Sequence, residues 1–215
     1  MLGLYIGIIL LLNIPYVQHR MSVLVAKELS TVLGSELTVG RINIGLLNRI
    51  IIDDLVLNDQ SGKELLKIGR LSAKFEILPL FSGKISIGNV QLFSFNANLE
   101  RPTPQASTNF QFVLDAFASK DTVKKKSNLD LRINSLLIRR GKVSYDVLSA
   151  ESTPGKFNPQ HIRLSNILAN ISLKALQNDS VNAAIKRMSV EEEHSGFELK
   201  KLSLKIIAND RKMRI

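Results

Sequence analysis

Three histidines, His19, His161 and His194, are the side chains best suited to acid–base or metal chemistry, and they lie far apart along the chain. Only His194 has carboxylates beside it, in the run Glu191-Glu192-Glu193. Metal sites show their ligands at short, regular spacing, and a catalytic triad needs a nucleophile within reach of its base. Neither pattern is present, so the three read as surface or loop histidines. The absence of cysteine removes thiol nucleophiles, disulfides and thiolate ligands. Asp53-Asp54 and the glutamate run read as polar strand and turn positions, and the chain has no Gly-rich phosphate loop and no nucleophile elbow. The expectation is a protein that is not an enzyme and holds no cofactor or metal.

With 215 residues, 45% of them hydrophobic, the chain is long enough for one large domain or two small ones and too apolar for general disorder. A net charge of +10 permits anionic partners, yet the Lys and Arg residues are scattered among the strand segments rather than gathered with aromatics, which argues against nucleic acid. The one tight cluster, Lys120 with Lys124, Lys125 and Lys126, reads as a solvated loop.

Residues 1–18 carry no charge and are rich in Leu and Ile. As a helix they extend roughly 27 Å, close to a hydrocarbon core of about 30 Å. A secretory signal peptide would need a basic leader and a small-residue cleavage site. Both are missing, and the segment reads as an uncleaved anchor with Tyr5 and Tyr16 near the two interfaces. Arg20 and Lys27 follow it, a weak positive-inside vote for a cytoplasmic remainder that a basic leader upstream would reverse. Residues 19–34 then show apolar spacing at Val25, Leu29, Val32 and Leu33 with Gly34 as a stop, which predicts a short amphipathic helix.

From residue 35 onward the periodicity changes to a strand signature with one residue too many: apolar, any, apolar, two polar or Gly residues, apolar, any, apolar. It occurs at Leu37/Val39/Ile42/Ile44, Ile50/Ile52/Leu55/Leu57, Leu66/Ile68/Leu71/Ala73 with Phe75, Ile85/Ile87/Val90/Leu92, Leu131/Ile133/Leu136/Ile138, Ile162/Leu164/Ile167/Ala169 with Ile171, Ala183/Ile185/Met188/Val190, and Phe197/Leu199/Leu202/Leu204. Chance placement at this apolar content gives roughly two or three such matches. An extra residue throws the second half of a strand onto the wrong face unless a β-bulge absorbs it, and aligned bulges curl a sheet. Reading each central pair as a hairpin turn instead leaves arms of about three residues, at the short limit for strands. Turn signals at residues 58–62, 79–83, 140–142 and 152–155 predict hairpins and antiparallel pairing. Between them, Pro102 and Pro104 break the strand rhythm, and Thr108 with Gln111 suggests a capping box opening a helix near 109–119, with Phe112, Val113, Ala116 and Phe117 toward the sheet.

The stretches Thr38-Val39-Gly40-Arg41-Ile42, Leu55-Val56-Leu57-Asn58-Asp59 and Ile85-Ser86-Ile87-Gly88-Asn89-Val90, followed by Asn109-Phe110-Gln111-Phe112, resemble the N-terminal region of the TamB-type, AsmA-like family of Gram-negative envelope proteins, in its Bacteroidota branch. The resemblance implies a mainly β fold: an N-terminal transmembrane helix and a short amphipathic helix leading into a curved antiparallel sheet, a taco-like β-groove with one inserted helix. It implies an inner-membrane, single-pass protein whose bulk is periplasmic and which carries phospholipid between inner and outer membranes, with an outer-membrane β-barrel protein as a further partner. The groove would then be lined by Ile42, Ile44, Leu55, Leu57, Leu71, Phe75, Ile85, Ile87, Val90, Leu92, Ile133, Leu136, Ile138, Ile167, Ile171, Leu202 and Leu204. Family members are far longer, so the chain reads as the start of a groove domain, 35–215, truncated at 215. Three alternatives stand beside this. The same apolar face suits the core of a sandwich or of a sheet backed by the two helices; the same β-structure suits an outer-membrane protein assembly factor; and the chain suits the scaffold of a larger membrane-anchored protein.

Overall fold

The computed structural model describes residues 3, 7, 10–45, 48–76, 85–117, 129–130, 134–177, 180–209 and 212–214. The chain turns at Asn13 and Ile14 and enters helix α1, Pro15–Leu33. Among the described residues ten strands follow, β1 (Leu37–Gly45), β2 (Arg49–Asn58), β3 (Glu64–Glu76), β4 (Ile85–Arg101), β5 (Leu129–Asp130), β6 (Ser135–Val147), β7 (His161–Gln177), β8 (Ser180–Glu192), β9 (Phe197–Asn209) and β10 (Lys212–Arg214). Helix α2, Gln111–Phe117, interrupts them between β4 and β5. All the strands belong to one open sheet of order β1-β2-β3-β4-β6-β7-β8-β9-β10, with β5 beside the start of β4.

The mainly β expectation holds, and the all-antiparallel one does not: β4 pairs in parallel with both β5 and β6. A parallel neighbour requires a crossover of a dozen or more residues, and the Pro-broken excursion through α2 provides it. The sheet is therefore two antiparallel meanders joined side by side in parallel.

The apolar opening segment lies largely outside the described residues, and among the described residues no helix is long and apolar enough to cross a membrane. Residues 15–18, expected in the anchor, belong to α1, so the amphipathic helix begins at residue 15 rather than 19. Pro15 explains the start, since its fixed φ and missing N–H suit the first helical turn. Gly34, at φ 64° with its N–H bonded to Ser30 O, ends the helix as expected.

Helix α1 lies along β1 and closes that edge of the sheet. Ser30 Oγ accepts from the Leu37 N–H at 2.9 Å and donates back to Leu37 O, and Asn13 Nδ2 donates to Ile44 O at 2.9 Å. Gln18 Nε2 donates to Asn43 Oδ1 at 2.6 Å. Edge strands left bare invite non-native pairing; here side chains of α1 and its approach occupy backbone groups at both ends of β1.

Helix α2 begins at Gln111 rather than at the expected 109, and residues 118–119 of the expected span lie outside the described residues. Gln111 turns its amide to Asp115 Oδ1 at 2.9 Å instead of reaching back as a capping box. Asn109 ties the approach to β4, pairing through its backbone N–H with Glu100 O and through its side chain with Glu100 N and Asn98 O. Phe110, Phe112, Val113 and Ala116 then pack into the core shared with the sheet, so the sheet-facing reading holds for Phe112, Val113 and Ala116, and the Phe117 side chain lies outside what is described. The two helices close a core of Leu33, Leu37, Leu57, Leu65 and Val113. Leu65 enters it because Leu57 pairs with Leu66 while Asn58 pairs with Glu64, leaving Leu65 as the extra residue, with no exposed surface.

Strands run straight through most of the expected central pairs, which are kinks rather than turns. Asp54 of β2 and Asn166 of β7, both in expected pairs, adopt positive φ, and so do Ser94 of β4 and Arg140 of β6, which lie outside them, all between 51° and 56°. Register aligns the first three kinks, with Gly40 beside Asp54, Gly69 beside Ser94, and Ser94 level with Arg140. Glycine is needed where backbones approach: a Cβ on Gly40 would stand 3.0 Å from Asp54 Cβ, and one on Gly69 would stand 3.2 Å from Ser94 Cβ. β8 and β9 change register at Lys186/Arg187 and Lys200/Lys201. The expected turn at 140–142 is corrected: Arg140-Gly141-Lys142 is a kink inside β6, because Gly141 opens room for the Phe95 ring rather than for a reversal. The turns at 58–62 and 152–155 are present, and 79–83 lies outside the described residues.

Candidate functional site

Residues paired across a sheet share a face, and the pairing places the apolar signature positions in continuous rows. One row runs Ile44, Ile50, Ala73, Val90, Leu136, Ile171, Ile185, Leu204. The next runs Ile42, Ile52, Leu71, Leu92, Ile138, Ala169, Met188, Leu202. A third carries Val39, Leu55, Ile68 and Phe95, whose ring lies over Gly141, the partner of Ile167. The fourth runs Leu37, Leu57, Leu66, Ala97, Val143, Leu164 and ends at Glu192. The first two rows hold no charged side chain and cross every strand from β1 to β9 except the short β5.

Thus Ile42, Ile44, Leu55, Leu57, Leu71, Val90, Leu92, Leu136, Ile138, Ile167, Ile171, Leu202 and Leu204 share one face. In register, Phe75 lies opposite Ile87, and Ile85 lies opposite Leu129. Ile133 lies outside the described residues. Leu57 is at the closed end, beneath the helices. Sequence reasoning leaves Phe95, Val143 and Tyr145 out of the site. Phe95 follows Leu92 by the same spacing that joins Val39 to Ile42, a signal that could have found it, and Tyr145 pairs with Leu99 and Ile162 on this same face.

The face is part sealed and part open: Ile42, Leu55, Ile68, Ile167 and Ala169 are buried, whereas Leu71, Leu92, Leu136, Ile138, Ile171, Leu202 and Leu204 keep part of their surface exposed. Among the described residues, contacts between elements run mainly between adjacent strands, from α1 to β1 and from α1 to α2, and no second sheet lies on the rows. The sandwich alternative has no counterpart there.

The histidines in the second half of the chain play structural parts. His161 places Nδ1 2.9 Å from Asp146 Oδ1 and Nε2 3.0 Å from Ala150 O. Both partners only accept, so the doubly protonated ring satisfies both. The Asp146 bond, helped by the Ala150 carbonyl, raises the His161 pKa above its ordinary value. Arg163 Nη2 holds the other Asp146 oxygen at 2.7 Å. Burial opposes ionisation of Asp146, yet the bonds from Arg163 and His161 outweigh it and lower its pKa.

Glu192, only 2% exposed, organises the β8–β9 turn. It accepts from Ser195 Oγ at 2.6 Å, from Ser195 N at 2.8 Å, and from the N–H groups of Arg163 and His194. Burial works against its charge, but these donors together hold the carboxyl down at about 2. The glutamate run thus occupies strand and turn positions, as its sequence suggests, with Glu191 and Glu192 ending β8, Glu193 opening the turn, and Glu192 buried.

These shifts fix a stability profile. Glu192, lowered from 4.5, contributes stability that is present above pH 4.5 and lost as pH falls toward 2. His161, raised from 6.5, contributes stability that is full below pH 6.5 and lost as pH rises through its folded value. Thermal melts are expected to peak between those limits. Glu192→Gln should flatten the acid limb and lower the peak by about 2 kcal/mol, and His161→Gln should flatten the alkaline limb; limbs unchanged by both substitutions would refute the assignment.

Compared with known proteins, the chain matches no family model and no curated protein.

Proposed function

We propose that the open aliphatic face holds the acyl chains of phospholipid and that the protein, anchored in an inner membrane by its apolar N-terminal segment, carries phospholipid across a Gram-negative periplasm. The observation that supports this most is the pair of uncharged rows crossing the sheet with no second sheet over them among the described residues. At about 4.8 Å per strand, seven strand spacings give roughly 34 Å of aliphatic surface. That is about twice the 15 Å or so of half a bilayer core. Each methylene transferred from water to such a surface gains about 0.8 kcal/mol when fully buried.

Aligned kinks supply the shape. Each bends its strand, and bends at matching heights curl a sheet into a trough. Headgroups then stay in water at the open margin while tails lie on the rows. The AsmA-like resemblance points the same way.

Native mass spectrometry of the full chain, purified in mild detergent from a Gram-negative host, tests the reading. Bound phospholipid is the expected result, and chain uniformly free of lipid overturns it. The rival reading, assembly with an outer-membrane barrel, draws on the β9 edge, where the described residues from Phe197 to Leu204 pair with β8 alone; lipid-free chain would favour it.

A further inference from the structure

The face opposite the rows gathers charge that is dispersed in sequence. Each kink turns two consecutive residues outward, and on β6, β8 and β9 both members of the pair are basic: Arg139 and Arg140, Lys186 and Arg187, Lys200 and Lys201. All six are exposed. Register brings them together, since Leu168 of β7 lies opposite the Arg139/Arg140 kink and pairs with Ser189, itself opposite Lys200/Lys201, while Ser203 Oγ donates to Lys186 O at 2.9 Å.

The side chains of Arg140, Lys186, Arg187 and Lys201 make no hydrogen bond or ion pair with another described residue. Arg139 stacks over Phe93, 5.9 Å from its centroid, and Lys200 stands 3.7 Å from Glu198. The other half of this face differs: at the β2–β3 kink Arg70 is held by Asp53 at 2.6 Å with Asp54 alongside, so charges there largely cancel.

We propose that the kinked polar face of β6–β9 docks on an anionic phospholipid bilayer surface. Three strand spacings spread the six cations over roughly 14 Å. They converge on no single point, so the surface suits many phosphates in a plane better than one bound anion. The attraction is electrostatic and screened by salt. It uses the face opposite the proposed acyl site and stands whether or not lipid occupies the rows.

Co-sedimentation of the full chain with phosphatidylcholine vesicles, with and without phosphatidylglycerol, tests this. Any partition due to the apolar N-terminal segment does not depend on lipid charge and is the same in both, so the increment due to phosphatidylglycerol is the readout. We expect an increment of at least about tenfold in affinity, lost at high salt. It should vanish in Lys186→Glu/Arg187→Glu/Lys200→Glu/Lys201→Glu and survive in Arg41→Glu/Arg49→Glu/Lys67→Glu/Lys74→Glu, which changes net charge equally. Should the first variant fail to fold by circular dichroism, Lys200→Glu/Lys201→Glu alone must still lose part of the increment. Equal loss in both fourfold variants, no loss in the first, a full increment in the twofold variant, or displacement by inorganic phosphate at matched ionic strength overturns the proposal.

Discussion

Ile171→Glu is expected to strip bound phospholipid from the protein, reducing co-purifying lipid at least about tenfold, because a carboxylate facing acyl chains is costly to desolvate. Ile171 sits mid-row between Leu136 and Ile185 and is half-buried. With no described layer over it, the new carboxylate remains hydrated in lipid-free protein, so the fold should lose only about 1 kcal/mol. Ser172→Glu is the matched control: its neighbour positions Ser135 and Ala184 lie on the opposite face, and lipid should be retained. Lipid kept by Ile171→Glu, or lost equally from Ser172→Glu, would refute the acyl site.

Leu65→Ala carries the largest expected loss of stability, about 3 kcal/mol by urea denaturation. Leu65 is fully enclosed with Leu33, Leu37, Leu57 and Val113, and neither helix can collapse onto the space without breaking its ties to the sheet. Leu71→Ala provides the contrast, with an expected cost of about 1 kcal/mol, since Leu71 already keeps part of its surface in water. Equal costs would mean that the rows are covered in solution.

Much of the sheet is legible in the sequence because its signal is local. Aliphatic alternation with one extra residue marks a kinked strand wherever it occurs, and the pairings of Ile42 with Ile52, Ile52 with Leu71 and Leu71 with Leu92 follow that pattern. The helix start at Pro15 is hidden because an apolar run continuing into an amphipathic one has no periodicity break at the proline. The kinks of β4 and β6 at Ser94 and Arg140 are hidden for a different reason. Arg140-Gly141-Lys142 has turn composition, and only Phe95 on a parallel neighbour reveals why glycine is there. Parallel pairing itself leaves no local mark, and neither does the clustering of basic kink pairs on three strands, which depends entirely on strand order.

The parallel seam between β4 and β6 also governs how the chain must assemble. Each meander is made of neighbours close in sequence and can zip hairpin by hairpin, whereas the seam joins Asn89 to Ser135 and Arg101 to Val147, partners 46 residues apart. Loop closure is costliest and slowest for such distant contacts. The two halves are therefore expected to form first and the seam last, making it the rate-limiting step of folding and the place where a slowly folding chain stays open longest.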